Sequence, residues 1–479
     1  MSAEFEAVIG LEVHAQLLTR SKLFCACSTS FGERPNENVC PVCLGLPGAL
    51  PVINRRALEY AVRAALALGC HINQRSIFAR KNYFYPDLPK GYQVSQYEQP
   101  FSQHGHLDVE IDGRVKRAGI TRVHMEEDAG KNVHGVGGQS LVDLNRAGTP
   151  LIEIVGEPDL QSGAEAAAYL KALREILMSI GVNDGNLEEG SFCCDANVSV
   201  RPRGEEKLGT RAELKNLNSF RFVERAIEVE IARQTALVES GGSVTQETRS
   251  FDPDSGTTRT LRSKEEAHDY RYFPEPDLPP LVIPDALVDA ARLGVGELPA
   301  ARRRRWVAEL GLGEQAAHTL TQHPAVARFF EQVLEHYAEA VKAANWIQTE
   351  VLRGLTTHGL EASFSVTPEQ VAELLALVDE GAISGKQAKQ VHALIEGSER
   401  MPRAVVEERG MRVVGDESEL LPLCQRLVEA HPKEAAAVRG GKKGVLGFFV
   451  GRVMKETRGS ADPKLVSSLL QRLLENGKS

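Results

Sequence analysis

The stretch VIGLEVHAQL, residues 8–17, alternates between apolar and polar side chains and predicts a β-strand. Successive side chains of a strand point to opposite faces, so Glu12 and His14 share one face while the apolar residues between them point to the other. Further strand-like runs are VDLNRAGTPLIEIVG at 142–156 and ANVSV at 196–200. The first part of the chain is therefore predicted to contain an antiparallel or mixed sheet.

Helical patterns are interspersed among these strands at 55–68, 163–178 and 221–239. An extended, proline-rich segment, PEPDLPPLVIP at 274–284, leads out of this region. Beyond it helical periodicity dominates, and Thr367-Pro368 is typical of a helix start. The sequence thus predicts an α+β fold with a mixed-sheet domain at 1–293, an all-α helical domain at 294–405 and a small α-helical tail domain at 406–479.

Composition indicates a globular protein, with 42% hydrophobic and 25% charged residues. No apolar run is long enough to span a bilayer, and the acidic start argues against a signal peptide, so we expect a cytoplasmic protein without a membrane partner. The net charge is −9, yet residues 431–479 contain ten Lys and Arg against four Asp and Glu. This basic tail is suited to binding a polyanion, and the alternative is a solvated helix face.

Four cysteines form two short-range pairs, Cys25-x-Cys27 and Cys40-x-x-Cys43. Two such pairs on two turns provide the four thiolates of a closed tetrahedral zinc site, and the polar segment between them has little apolar content to form a core. The alternatives are incidental thiols or two disulfides, which are less expected without a secretion signal. The spacing therefore favours a structural zinc ion.

Acidic and histidine side chains recur in or beside the strand-like runs. They are Glu12, His14, His124, Glu126, Glu127, Glu153 and Asp195. Carboxylates on apolar strands are costly to bury unless they are paired or bound to metal, and oxygens converging with one imidazole suit Mg²⁺. The alternative is that each acid pairs with a nearby arginine, such as Arg122, Arg146 or Arg201. The spacing alone leaves both interpretations open.

The motifs of several enzyme classes are absent from the sequence, namely G-x-x-x-x-G-K-[ST], G-x-S-x-G and H-E-x-x-H. A P-loop NTPase, a serine hydrolase of that type and a zincin are therefore disfavoured. The run KNYFYPDLPKGY at 81–92 interleaves aromatic residues with lysines. Such a run can stack on a base and contact phosphates, although it is also typical of a packed surface loop.

Larger blocks of sequence are more specific. They are VIGLEVHAQL, C-x-C with CPVCLGLPG, RKNYFYPDLPKGYQVSQY, HMEEDAGK, DLNRAGTPLIEIV, CDANVSVRP, ELKNLNSF, DYRYFPEPDLPP and GKKGVLGFFVGRVMKETRGSADPKLV. Together they resemble the family of B subunits of the aspartyl/glutamyl-tRNA amidotransferases, from about residue 8 to about residue 470. Any one of these blocks alone would be weak evidence for the resemblance.

This resemblance implies a catalytic cradle domain, a helical domain and a helical tail that holds tRNA. It implies a heterotrimer with a glutaminase A subunit and a small C subunit. The expected activity uses ATP and Mg²⁺ to phosphorylate the side-chain carboxylate of misacylated Glu-tRNA(Gln) or Asp-tRNA(Asn). Ammonia channelled from the A subunit then displaces phosphate, giving Gln-tRNA(Gln) or Asn-tRNA(Asn).

Site residues are carried over by position. The resemblance implies a magnesium set of Glu12, His14, Glu127 and Glu153 and a structural zinc set of Cys25, Cys27, Cys40 and Cys43. Glu126 and Asp195 complete the catalytic group, and Lys81 would contact phosphate or help to gate the ammonia route. Candidate contacts of ATP are Lys81, Tyr83, Lys90 and Arg201. Candidate contacts of the tRNA backbone are Lys442, Lys443, Arg452, Lys455 and Arg458.

One position departs from the family pattern, because Cys193 stands where a basic residue usually precedes the CDANVS block. If that cation contacts phosphate, another residue must do so here. Two other functions are weighed against the amidotransferase, a Mg²⁺-dependent RNA-processing nuclease and a zinc and RNA-binding scaffold. The nuclease would use the acid clusters beside the basic tail, whereas the scaffold would bind zinc and RNA without catalysis.

Overall fold

The computed structural model describes residues 5–111, 113–134, 139–263, 270–411, 417–440, 442–457 and 461–475. The chain forms two compact units, residues 1–302 and 303–479. The three-domain division at 293 and 405 stays a prediction. The second unit contains two distinct hydrophobic clusters, one on each side of residue 411.

A nine-stranded sheet dominates the first unit. The strands of this unit are β1 (Phe5–Gln16), β2 (His71–Ile72), β3 (Arg75–Ser76), β4 (Ala79–Asn82), β5 (Tyr92–Ser95), β6 (Ser102–Ile111), β7 (Arg114–Glu127), β8 (Lys131–His134), β9 (Ser140–Asp143), β10 (Pro150–Gly156), β11 (Phe192–Pro202), β12 (Ala212–Lys215), β13 (Glu247–Asp252), β14 (Thr257–Ser263), β15 (Phe273–Pro274) and β16 (Leu281–Val282). The sheet order is β14-β13-β12-β11-β1-β10-β7-β6-β2. All neighbours in it are antiparallel except β12 and β13, which are parallel, so the predicted mixed sheet is confirmed.

Helices cover one face of this sheet. They are α1 (Arg55–Ala67), α2 (Gly163–Ser179), α3 (Phe220–Glu239) and α4 (Asp285–Leu293). The side chains of Asn54, Ser162 and Ser219 accept backbone N–H bonds at the starts of the first three, which agree with the predicted helices to within about one residue. Ile9 and Val13 of β1 join the core that these helices bury, so the alternate residues of β1 face the other way.

The proline-rich segment is extended, as predicted. Its residues form β15, which pairs with β4, and β16, which pairs with β3. With β5 added, β15 and β4 make a small three-stranded sheet. This sheet carries Lys81 on β4.

The second unit is helical. Its helices are α5 (Pro299–Leu310), which begins in the first unit, α6 (Glu314–Thr321), α7 (Pro324–His336), α8 (Ala340–Thr349), α9 (Pro368–Asp379), α10 (Gly385–Ile395), α11 (Pro402–Arg409), α12 (Glu417–Ala430), α13 (Pro432–Arg439), α14 (Leu446–Glu456) and α15 (Pro463–Glu475). A short hairpin of β17 (Thr356–His358) and β18 (Glu361–Ser363) is the one departure from the all-α prediction in the described chain. Thr367 caps α9 in a capping box with Gln370, as its sequence predicts. None of the described helices is long and apolar enough to cross a membrane.

A buried ionic network connects α3 to β13, the strand next to the edge of the sheet. Glu230 is fully buried and accepts hydrogen bonds from Nη2 of Arg233 at 2.6 Å and from Nε2 of Gln234 at 2.8 Å. Nε of Arg249, on β13, lies 3.4 Å from the same carboxylate. Removal of one partner from such a network leaves a buried charge without compensation.

Glu230→Ala is expected to lower the free energy of unfolding of the first unit by about 3 kcal/mol, because Arg233 and Arg249 lose the fully buried carboxylate of the network and Arg249 keeps only Glu247. The measurement is urea unfolding followed by far-UV circular dichroism.

The control is Asp289→Ala, which removes an exposed pair with Arg292 and should change stability by no more than about 0.5 kcal/mol. Equal effects of the two substitutions would contradict a stabilising role for the network.

Candidate active site

Neighbouring strands bring acidic and histidine side chains together on the sheet face opposite the helices. His14 of β1 lies opposite Glu153 of β10, which in turn lies opposite His124 of β7. On the other side of β1, Glu12 lies opposite Asp195 of β11. Because directly opposed residues of adjacent strands point to the same face, these five side chains form one patch.

The densest part of the patch surrounds His14. Its Nε2 lies 3.5 Å from Oε2 of Glu153 and 3.6 Å from Oε1 of Glu126. Nε2 of His124 lies 3.4 Å from the same oxygen of Glu153. One ligand atom from each of His14, Glu126 and Glu153 falls within 4.8 Å of the others, which fits a cation with ligand distances of about 2.0–2.6 Å.

The electrostatics of the patch indicate an excess of negative charge. Burial raises the pKa of Glu12, and the charges of Glu153 and Asp195 raise it further. Burial opposes the charged form of His14, but its hydrogen bond to Glu153 and the charges of Glu153 and Glu126 raise its pKa to about 9. A protonated His14 thus supplies positive charge between the carboxylates, where a metal cation would be more effective.

A lysine and several tyrosines form another wall of the cleft. Lys81 Nζ lies 5.0 Å from the ring centre of Tyr270. Burial opposes the charge of Lys81, but the carboxylates, Glu126 first and then Glu153, raise its pKa. The tyrosines that line this wall are Tyr83, Tyr97, Tyr270 and Tyr272, of which Tyr97 and Tyr272 stack with ring centres 4.3 Å apart. This wall combines a cation, which can contact phosphate, with aromatic surface, on which a base can stack.

A second cation lies at the β11 and β12 side of the patch. Lys215 Nζ is 2.5 Å from Oδ2 of Asp195 and 3.0 Å from Oε1 of Glu213. Asn197 donates a hydrogen bond of 3.0 Å to Glu12 Oε1. Burial opposes the charged form of Lys215, but Asp195 and Glu213 raise its pKa, so the lysine stays positively charged.

These walls enclose a cleft of about 580 Å³, a volume typical of pockets for small ligands and cofactors. Of the predicted catalytic and ATP-contacting residues, it contains Glu12, His14, Lys81, Tyr83, Glu126, Glu153 and Asp195. Further basic residues that line it are Arg122, Arg146, Arg211 and Lys215. The cleft therefore offers sites for both a cation and anionic oxygens.

Two predicted residues, Glu127 and Lys90, lie outside this cleft. Consecutive residues of a strand face opposite sides, so Glu126 enters the cleft while Glu127 turns away. Glu127 pairs with Lys90 and accepts a hydrogen bond of 2.9 Å from the backbone N–H of Val94. Both line a second cavity of about 210 Å³ beside Cys25 and Cys43. The structure therefore does not place Glu127 with His14, Glu126 and Glu153, or Lys90 in the cleft, as the predicted grouping required.

Arg201 is also outside the cleft. It lies six residues along β11 from Asp195, a rise of about 20 Å, and its Nε is 2.7 Å from Oε1 of Glu6. The structure therefore places Arg201 away from the cleft residues with which it was predicted to contact ATP.

The three arginines weighed as alternative partners of the acids make other contacts in the described chain, one of them with a histidine of the patch. Besides Arg201, Arg146 Nε lies 3.5 Å from Asp128, and Arg122 Nε donates to Nδ1 of His124 at 3.4 Å. In the described residues, these arginines therefore do not form the predicted alternative ion pairs with the acids of the patch.

The four paired cysteines converge, as their spacing predicts. The sulfur atoms of Cys25, Cys27, Cys40 and Cys43 lie within 4.8 Å of one another. A tetrahedral zinc ion with Zn–S bonds of about 2.3 Å holds its sulfurs about 3.8 Å apart. Hydrogen bonding between Cys25 and Cys43 raises the pKa of the former and lowers that of the latter, so in this arrangement thiols share protons that a metal would replace. The donor set fits zinc.

The residue that departs from the family pattern, Cys193, lies within the cleft. Cys193 lies opposite His14 in the sheet and lines the cleft with Arg146. Burial, followed by the charge of Asp128, raises the pKa of Cys193 to about 11. Cys193 is therefore a neutral thiol, and the cation on the same wall is Arg146, whose guanidinium is held by Asp128 and by the backbone oxygens of Ala129 and Gly130.

The predicted tRNA contacts are only partly described. Lys442, Arg452 and Lys455 are exposed, and Arg452 lies over the ring of Phe448 at 5.3 Å. The side chain of Lys443 and the whole of Arg458 fall outside the described residues.

Sequence reasoning missed several residues of the cleft. It named His124 but gave it no role, although the register places this residue beside Glu153. Lys215 and the two tyrosines Tyr270 and Tyr272 were quoted only within longer blocks, ELKNLNSF and DYRYFPEPDLPP. The alternation of polar residues in those blocks was the pattern that could have indicated that they face the cleft.

Comparisons with known proteins cover nearly the whole chain. Residues 7–289 match the family model described as the GatB/GatE catalytic domain, and residues 328–474 match the model of the GatB domain. The B subunit of an aspartyl/glutamyl-tRNA(Asn/Gln) amidotransferase from Geobacter sulfurreducens is 55% identical over 476 residues, or 98% of this chain and 99% of that protein. Proteins of the same name from Anaeromyxobacter sp. and Solidesulfovibrio magneticus are 56% and 54% identical, each over 98% of this chain and 99% or more of their own length.

Glu126→Gln is expected to weaken Mn²⁺ binding to the full chain by about tenfold or more, because it removes one charged ligand from the triad with His14 and Glu153. Glu127→Gln is the matched control, since it is the same change one residue along and faces the other cavity. It should leave the dissociation constant within about threefold, less than about 0.7 kcal/mol. Electron paramagnetic resonance of free Mn²⁺ measures both, and a larger effect of Glu127→Gln would contradict the assignment.

Proposed function

This chain belongs to the GatB family of amidotransferase B subunits, and on that premise we propose that its cleft activates and amidates the carboxylate of a misacylated tRNA. The substrates would be Glu-tRNA(Gln), Asp-tRNA(Asn) or both, with ATP as the phosphoryl donor. The products would be Gln-tRNA(Gln) or Asn-tRNA(Asn), ADP and phosphate. Members of this family belong to tRNA-dependent ligases of protein biosynthesis.

The chemistry requires activation because a carboxylate has no good leaving group. In the proposed reaction a carboxylate oxygen attacks the γ-phosphorus of ATP, the bond to ADP breaks and an acyl phosphate forms. Ammonia then attacks the acyl carbon, and phosphate leaves with that oxygen while the nitrogen loses a proton. Both steps develop negative charge on oxygens, so the site must supply positive charge and alignment.

The observation that carries this proposal is the convergence of His14, Glu126 and Glu153 beside Lys81 in one cleft. These three side chains would hold Mg²⁺, and the bound ion would neutralise phosphate oxygens. Lys81, which its neighbours keep protonated, is suited to contact a phosphoryl oxygen. Glu12 and Asp195, held by Asn197 and Lys215, extend the acidic side of the cleft.

The tyrosine wall and the remaining cations suit the rest of the nucleotide and the acceptor end of the tRNA. Tyr83 provides aromatic surface near Lys81, and Arg146 is a cation on the wall that contains Cys193. We infer that Arg146 takes the place of the basic residue that other members of the family have at position 193.

The expected partners follow from the need for a source of ammonia. Ammonium at neutral pH is a poor nucleophile, so ammonia is best produced in a protected site and channelled. We infer a glutaminase A subunit and a small C subunit, in a heterotrimer with this chain. Exposed Lys442, Arg452 and Lys455 would contact the tRNA backbone by charge and shape. A cytoplasmic location, where aminoacyl-tRNA is used, remains a prediction.

The assay that tests the proposal follows Glu-tRNA(Gln) in the complex assembled with its A and C partners. Conversion to Gln-tRNA(Gln) should require ATP and Mg²⁺, and ammonium chloride should replace glutamine as donor. Lys81→Met should lower kcat by roughly 10²-fold, because a cation facing the reacting oxygens is lost. Lys131→Met removes a lysine exposed on β8 and should leave the rate unchanged.

Unchanged glutamyl-tRNA in an assembled complex would overturn the glutamyl assignment, and aspartyl-tRNA would be tested next. Shortening of the tRNA without ATP would instead support a nuclease.

We also propose that the four-cysteine cluster holds one structural Zn²⁺, since its donor set and spacing suit that ion. Zinc content of the purified chain, measured by mass spectrometry, should be one ion per chain. Cys40→Ser should lose the ion and the stability that it provides, whereas Cys193→Ser, at a cysteine that lines the cleft and lies outside the cluster, should retain it. Full zinc content in Cys40→Ser would contradict the proposed ligand set.

A further inference from the structure

Lys22 is a fully buried lysine that has no part in the proposed reaction. Its relative exposure is 0%, and it is among the largest wholly buried side chains of the described chain. An ammonium group is costly to remove from water unless it finds hydrogen-bond acceptors and a counter-charge. The surroundings of its Nζ atom therefore indicate what holds it there.

The ammonium group of Lys22 has three N–H donors, and three hydrogen-bond acceptors surround it. Nζ donates to the backbone oxygen of Asn38 at 2.6 Å and lies 3.3 Å from that of Leu144. It lies 3.6 Å from Sγ of Cys43, within the range of a hydrogen bond to sulfur. The two carbonyl oxygens are neutral, so the sulfur is the acceptor that can provide a negative charge.

Other acids near Lys22 are already matched by other cations. Glu127, in the same cavity, pairs with Lys90. Glu275 and Asp277 line that cavity as well, and both pair with Arg80, at 2.7 Å and 3.1 Å. The thiolate of Cys43 is therefore the counter-charge that the geometry leaves for Lys22.

The thiolates need such a cation too. Four thiolates around one Zn²⁺ carry a net charge of −2, which is costly to bury. Groups that donate hydrogen bonds to metal ligands commonly stabilise the site. A single buried ammonium beside one sulfur offsets half of that net charge.

Lys22 also connects the two cysteine pairs with the loop that leads to β10. Its backbone N–H donates to the carbonyl oxygen of Cys27 at 3.0 Å, while its side chain reaches Cys43 of the other pair. Asn38, one of its acceptors, lies in the segment between the pairs and donates its own N–H to Asn145 Oδ1 at 2.8 Å. One residue thus spans both turns of the cluster and the neighbouring loop.

We propose that Lys22 is the charge partner and positioning residue of the four-cysteine zinc site. Its ammonium offsets thiolate charge at Cys43 and fixes the segment between the cysteine pairs against residue 144. This inference rests on the zinc site proposed above and adds to it a residue outside the ligand set.

The test measures zinc release from the full chain to the chromogenic chelator 4-(2-pyridylazo)resorcinol, with Lys22→Met, Lys22→Gln and Lys22→Arg compared with the parent. Lys22→Met keeps the length of the buried stem but loses the charge, and should release zinc roughly 10- to 100-fold faster. Lys22→Arg keeps a positive charge and should release zinc more slowly than Lys22→Gln. Arg34→Met removes an exposed cation that pairs with Glu37 in the same loop, and should match the parent.

The outcomes separate the two proposals. A parent chain that contains no zinc would overturn the zinc site and this inference together. A zinc-loaded parent whose release rate equals that of Lys22→Met would overturn this inference alone. If Lys22→Met does not accumulate as folded protein, equal release rates for Lys22→Arg and Lys22→Gln would overturn it, and slower release from Lys22→Arg would support it.

Discussion

The antiparallel register of β1 against β10 and β11 is the constraint on which the rest of the site depends. It aligns His14 with Glu153 and Glu12 with Asp195 on one face, while Ile9 and its alternate neighbours enter the helix-covered core. A slip of one residue would exchange these faces, so hydrophobic burial and site geometry are fixed by the same pairing. The charged patch is therefore maintained by the apolar core behind it, despite the cost of crowding carboxylates together.

The end of β7 separates two chemical environments that lie one residue apart. Glu126 enters the cleft with His14 and Glu153, whereas Glu127 enters the cavity of the cysteine cluster and Lys90. The strand thus forms the partition between the proposed reaction site and the proposed zinc site. On each side lysines face the negative groups, Lys81 in the cleft and Lys90 and Lys22 in the other cavity.

Much of this arrangement was predictable from the sequence, because periodicity and short-range spacing are local properties. The alternation around Glu12 and His14, the helices and the convergence of the cysteines depend on a few neighbouring residues each. The choice between Glu126 and Glu127 was not predictable, since both are acidic and the parity of β7 is set by its pairing with β10. The position of Arg201 was not predictable for a related reason, because β11 is long enough to place this residue about 20 Å from Asp195.

The central claim is that the γ-phosphoryl group of ATP is transferred to the substrate carboxylate in the cleft before amidation. The most direct measurement uses Glu-tRNA(Gln) labelled with ¹⁸O in the side-chain carboxylate, in the assembled complex with ATP and ammonium. The account predicts that each turnover moves one carboxylate oxygen into inorganic phosphate, since that oxygen leaves with the phosphoryl group. Formation of Gln-tRNA(Gln) with unlabelled phosphate would contradict the account.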